Sequence, residues 1–92
     1  MDLNTCLARL QEPEEIHKFL CDLLTPYEIK AIQERWDVAK LLQKGLSYRA
    51  ICEKTQSSTT TVTRVARALK EGSGYQMVLE KIKEKYDDAH ES

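Results

Sequence analysis

Glycine and proline are scarce in this 92-residue chain, at three and two. Aromatic residues make up 7%, with one Phe and one Trp, and histidine occurs twice. Each shortage excludes something. Few glycines and prolines beside a clear apolar periodicity argue against a disordered, low-complexity chain. No uninterrupted apolar stretch approaches the ~18 residues that a membrane span needs. The start, Met1-Asp2-Leu3-Asn4, has neither a basic segment nor a long apolar run, so no secretory signal is expected. The three cysteines (Cys6, Cys21, Cys52) are scattered and read as reduced thiols of a cytoplasmic protein. Neither an internal repeat nor a glycine-rich phosphate loop is present.

Charge of one sign is also missing, but only in the sum. Fourteen Lys and Arg stand against fifteen Asp and Glu, a net charge of −1. Taken alone, that total points away from nucleic acid. Its distribution does not. Residues 29–70 hold nine bases (Lys30, Arg35, Lys40, Lys44, Arg49, Lys54, Arg64, Arg67, Lys70) and three acids (Glu34, Asp37, Glu53), a net of +6. The rest of the chain holds five bases and twelve acids, a net of −7. From Thr55 to Lys70 there is no acidic residue. Binding responds to such local fields rather than to the total.

The apolar residues recur at helical spacing throughout. Leu3, Leu7 and Leu10 form a short first stripe. Pro13 suits a first helical position, with Glu14 and Glu15 at the positive end of the helix, and Ile16, Phe19, Leu20, Leu23 and Leu24 give an apolar face. Thr25-Pro26-Tyr27-Glu28 has the pattern of a capping box. Ile29, Ile32, Trp36, Ala39 and Leu42 follow, with Val38 and Leu41 widening the stripe, and Gly45 is placed to end the helix. Ser47 caps a short helix over about 48–54 that buries Ile51 and Cys52. After the polar break Thr55-Gln56-Ser57-Ser58, a helix over about 58–70 carries Val62, Val65, Ala66 and Leu69. Residues 71–74 form a loop, where Ser73-Gly74-Tyr75-Gln76 can make a second capping box. The last helix shows Tyr75, Val78, Leu79, Ile82 and Tyr86. Six helices in so short a chain leave a thin core. The striped first and last helices then favour a dimer in which they bury each other.

The short helix, tight turn and longer helix at 48–70 fit a helix-turn-helix. At 100° per residue, Thr60, Arg64 and Arg67 lie opposite the apolar stripe. Thr59 and Thr63 lie on one flank, Thr61 and Ala68 on the other. Such a helix presents its first residues to the major groove, where small hydroxyls approach base edges and methyls touch thymine. Arginines and the positive helix end favour phosphate. Arg49, on the preceding helix, can reach a guanine or a phosphate.

Leu24-Thr25-Pro26-Tyr27-Glu28, Arg35, Leu42 to Gly45, Ser47-Tyr48-Arg49 and Thr59-Thr60-Thr61-Val62-Thr63-Arg64 resemble the tryptophan repressor family, closest to its YerC/YecD-type branch, over about residues 13–86. The tryptophan repressor is among the standard helix-turn-helix systems. The resemblance implies an all-α, six-helix fold in an intertwined homodimer that binds palindromic operator DNA. It also implies one domain over 1–92: N-terminal dimerisation helices over 1–24, a core over 26–70 with the helix-turn-helix at 48–70, and a C-terminal dimerisation helix over 74–87. By position, Arg49, Thr59, Thr60 and Thr63 fall where the repressor meets DNA. Arg64 and Arg67 join them from the helix geometry, Arg67 as a phosphate contact. Thr25, Arg35, Thr61 and Arg64 fall where the repressor holds tryptophan, and two arginines suit a carboxylate ligand.

Departures fall in that second group. The repressor has a glycine where Val65 stands and a serine where Ala68 stands. Val65 puts a branched side chain where the indole would lie, and Ala68 removes a hydroxyl. Gln56 replaces the turn glycine, at a cost of roughly 1 kcal/mol or more if the turn needs a positive φ. One residue is missing after Gly45. The DNA-binding frame survives these changes. L-tryptophan binding is not expected; a reshaped pocket for another small effector, or no effector at all, is.

The remaining signals are weaker. His17 and Cys21 could both touch a metal, but two ligands are not a site and no CxxC or HExxH motif accompanies them. No metal or cofactor is expected. No nucleophile, base and acid fall together, so no enzyme activity is expected. Trp36 reads as core or dimer packing, His90 as part of a polar tail. The leading function is a sequence-specific transcriptional regulator, acting in a bacterial cytoplasm at the nucleoid on double-stranded DNA and pairing with itself. Two alternatives remain: a helical protein–protein interaction module, and a transposase-type DNA-binding domain, which would be expected to precede a catalytic domain.

Overall fold

The computed structural model describes residues 1–91, with side chains placed through residue 83. Among the described residues there are six helices and no strand: α1 Leu3–Arg9, α2 Pro13–Leu23, α3 Pro26–Gln43, α4 Tyr48–Thr55, α5 Thr59–Glu71 and α6 Gly74–Glu91. The chain divides into two compact units, Met1–Gln33 and Glu34–Ser92, with α3 running from one into the other.

In the first unit each helix starts on chemistry visible in the sequence. Asp2 caps α1 by accepting the Thr5 N–H at 2.8 Å, and the Thr5 side chain, then this backbone bond, hold the Asp2 carboxyl below its ordinary range. Pro13 opens α2, with Glu14 and Glu15 in its first turn. The capping box at α3 forms: the Thr25 N–H donates to Glu28 Oε1 at 2.9 Å, and the Glu28 N–H to Thr25 Oγ1 at 3.2 Å. The apolar stripe of α2 is only half covered. Ile16, Phe19, Leu20 and Leu24 are half-buried, Leu3 and Leu23 are exposed, and no described residue of this unit is fully buried.

The second unit holds the core: Val38 and Ala39 of α3, Ile51 of α4, and Val62 and Val65 of α5. Trp36, Leu41, Leu42, Leu46, Cys52 and Tyr75 pack around them. Gly45, at φ 88°, ends α3, with the Gly45 N–H on the Leu42 carbonyl and the Leu46 N–H on the Leu41 carbonyl. This Schellman turn brings Ser47 into place, and Ser47 Oγ caps α4 by accepting the Ala50 N–H at 3.2 Å.

The turn between α4 and α5 is short. Gln56 closes α4 at φ 62°, ψ 20°, the left-handed conformation suspected from the sequence, and donates its side-chain amide to the Glu53 carbonyl at 3.1 Å. Thr55 Oγ1 donates to the Ile51 carbonyl at 2.7 Å and accepts the Ser57 N–H at 3.2 Å. Ser57 is buried, and its Oγ meets no hydrogen-bond partner among the described residues. Ser58 then caps α5, accepting the Thr61 N–H at 3.1 Å.

The α5–α6 connection differs from expectation. The second capping box does not form. Gln76 turns away from Ser73 and donates its side-chain amide to the Leu69 carbonyl at 2.6 Å, satisfying an acceptor near the end of α5. Gly72 permits the turn, because a Cβ there would lie 2.8 Å from the Ala68 carbonyl oxygen. Tyr86, Asp87, Asp88 and His90 have side chains outside the described residues.

Candidate nucleic-acid interface

The core positions α5. Val62 and Val65 point inward against Ile51, Val38 and Ala39, which fixes the opposite face outward. That face is Thr59, Thr60, Thr63, Arg64 and Arg67, which together line one open depression of about 470 Å³. Five of the six residues expected to meet DNA therefore share one surface. Thr60, Thr63, Arg64 and Arg67 follow the i, i+3, i+4, i+7 pattern of a single helix face. Neither arginine makes an ion pair among the described residues. The depression combines hydroxyls and methyls near the helix start with two uncommitted cations farther along.

The sixth residue, Arg49, lies on α4 outside the depression. Its side chain is almost wholly exposed, and its Nε sits 3.6 Å from Glu53 Oε1. On the same helix Cys52 Sγ lies 4.0 Å from Thr59 Oγ1, tying α4 to the first turn of α5. Cys52 is half-buried against the core, and all three cysteines are free.

The positions expected to form an effector pocket have varied surroundings. Thr25 belongs to the first unit, with its hydroxyl in the α3 cap. In the second unit Arg35 is exposed, and Thr61 Oγ1 sits 3.1 Å from Ser58 Oγ, inside the α5 cap. Arg64 faces the depression on the α5 surface. Val65 is 2% exposed and part of the core. Ala68 borders an apolar groove of about 610 Å³ with Trp36, Tyr75, Met77 and Val78. The spacing of Trp36 predicts packing but not this groove, because Trp36 and Tyr75 are too far apart in the chain for a shared wall to show as periodicity. Lys40 Nζ lies 5.8 Å from the Trp36 ring centroid and 3.5 Å from Asp37. His17 Nε2 is 3.5 Å from Cys21 Sγ, and no third potential metal ligand joins them among the described residues.

The family model of the Trp repressor protein matches residues 2–83. The chain belongs to the Trp repressor family. YerC, an uncharacterised protein of Bacillus subtilis, is 40% identical over 83 residues, which is 89% of this chain and 80% of that protein. A Trp-repressor-like protein of Staphylococcus aureus superposes with a TM-score of 0.83 at 34% identity, covering 88% of this chain and 82% of the other. A TrpR-like protein of Eubacterium eligens gives 0.83 at 37% identity, covering 87% and 84%. The family is one of helix-turn-helix DNA-binding regulators rather than enzymes. Among the described residues, no helix is long and apolar enough to cross a membrane.

Proposed function

We propose that this member of the Trp repressor family is a sequence-specific transcriptional regulator, a homodimer that represses from a palindromic operator. Each copy inserts α5 into a major groove, with the two half-sites about 34 Å apart along the duplex. Thr59, Thr60 and Thr63 meet base edges, Arg49 reaches a guanine, and Arg64 and Arg67 meet phosphate. The observation that carries this reading is the single depression formed by the α5 threonines and arginines, with no acid between Thr55 and Lys70. Dimerisation is supported by the uncovered apolar side chains of Leu3, Leu23, Met77, Val78 and Ile82. The regulator works in the bacterial cytoplasm at the nucleoid.

L-tryptophan is not its effector. Support comes from Val65, buried in the core where the resemblance calls for glycine, and from Thr61, whose hydroxyl lies beside the Ser58 cap. The regulator binds DNA without a ligand or with another small effector. DNA affinity measured against salt tests the reading. A steep fall of log affinity with log salt, with a large preference for one palindrome over random duplex, is expected. Weak, equal binding to every duplex overturns it.

A further inference from the structure

Within the helix-turn-helix, residues 48–70, Glu53 is the only acid. A carboxylate on a surface that approaches phosphate opposes binding. Its placement is specific. At 100° per residue, Arg49 and Glu53 lie on the side of α4 away from the buried Ile51. Both lie within about 100° of Cys52 around the helix, and Cys52 Sγ is 4.0 Å from Thr59 Oγ1 at the start of α5. The Arg49–Glu53 pair therefore lies on the exposed side of α4, outside the depression that α5 lines.

A helix-stabilising role explains the pair poorly. Both side chains are strongly exposed, at 92% and 71%, so the ion pair contributes little in water. Arg preceding Glu by four is also the less favourable order along a helix. The contact geometry suits a different task. The contact is through Nε, 3.6 Å from Glu53 Oε1, and a carboxylate held at Nε leaves the two terminal nitrogens of the guanidinium available. Two parallel N–H donors are what the O6 and N7 edge of guanine accepts. As a duplex excludes water, the ion pair strengthens and holds that fork in place. The same carboxylate cancels the charge that would draw Arg49 to any phosphate and repels a duplex docked without the base contact.

We infer that Glu53 is a positioning and selectivity residue, holding Arg49 for a guanine edge and penalising backbone-only binding. This rests on reading α4 and α5 as the DNA-contacting pair. The test compares the wild type with E53Q, E53D and R49A on a selected palindrome, on the same duplex with the relevant guanine replaced, and on random duplex, each across a range of salt. E53Q should bind random duplex about threefold or more tighter, with its salt slope steeper by about 1, because Arg49 is released to phosphate. Its preference for guanine should fall about tenfold, within the discrimination one bidentate contact supplies. E53D keeps the charge but is one methylene shorter, so it should lose guanine preference while random-duplex affinity stays low. In the R49A background, E53Q should leave guanine preference unchanged. The inference is overturned if E53Q retains wild-type guanine preference and salt slope, or if it weakens every duplex equally. A wild type that shows no preference among duplexes is a separate outcome, and it overturns the regulator reading together with this role.

Discussion

Two neighbouring residues in the turn between α4 and α5 work against its stability. Gln56 holds a left-handed conformation that glycine adopts freely, and Ser57 buries a hydroxyl without a partner among the described residues. Gln56→Gly should stabilise the fold by about 0.5–1 kcal/mol, the left-handed cost offset by loss of one exposed hydrogen bond. Ser57→Ala should stabilise it by about 1 kcal/mol by removing an unsatisfied polar group. Urea titration of each variant checks both; a clear loss of stability in either contradicts the assigned cost. Glu28 offers a pH handle. Its carboxyl is held below the ordinary range, chiefly by accepting the Thr25 N–H and then by the Thr25 side chain. The unfolded carboxyl titrates at its usual value, so the cap contributes fully above that value. It is lost as pH falls through the lower folded value. The Thr25 amide resonance should titrate with a midpoint below that of an ordinary glutamate, and Glu28→Gln should abolish the transition.

At the scale of the helix, α5 divides its labour by position. Thr60 and Thr63 lie in its first half, with the methyl and hydroxyl groups proposed to read bases; Arg67 lies one turn farther on. Replacing Thr60 or Thr63 should change sequence preference more than overall affinity. Arg67→Ala should weaken binding on all duplexes alike and reduce the salt slope by about 1. If that slope stays at the wild-type value, Arg67 does not meet phosphate. Most of these elements were legible beforehand. Ser47, Ser58, Pro13, Gly45 and the Thr25–Glu28 box start or stop helices by local chemistry, which sequence spacing carries directly. The role of Gln76 is not legible from local spacing, because its partner, the Leu69 carbonyl, lies seven residues back across a turn. The stripe of α3 was also too broad to show which residues would be buried: Val38 and Ala39 are, whereas Ile32 is 39% exposed. The depression was legible as a helix face. The apolar groove was not, since its walls come from α3, α5 and α6.

The whole molecule joins a basic centre to acidic ends, +6 over residues 29–70 against −7 elsewhere. In the proposed regulator, the near-neutral total would limit indiscriminate attraction to DNA and leave selection to α4 and α5. Charge-neutral replacements of Glu14 and Glu15 should therefore raise affinity for random duplex more than for the operator. Equal gains on both would count against this. Sedimentation equilibrium should return twice the chain mass, because the apolar side chains of Leu3, Leu23, Met77, Val78 and Ile82 are uncovered in one copy. A monomer at all concentrations contradicts the paired operator geometry. Calorimetric titration with L-tryptophan should give no saturable heat, since Val65 fills space within the core. The most direct test of the central claim is selection of bound DNA from a randomised duplex library. The account predicts enrichment of a palindrome whose half-sites are one helical turn apart, each with a guanine that Arg49→Ala no longer selects. Recovery of sequences no different from the starting library would contradict it.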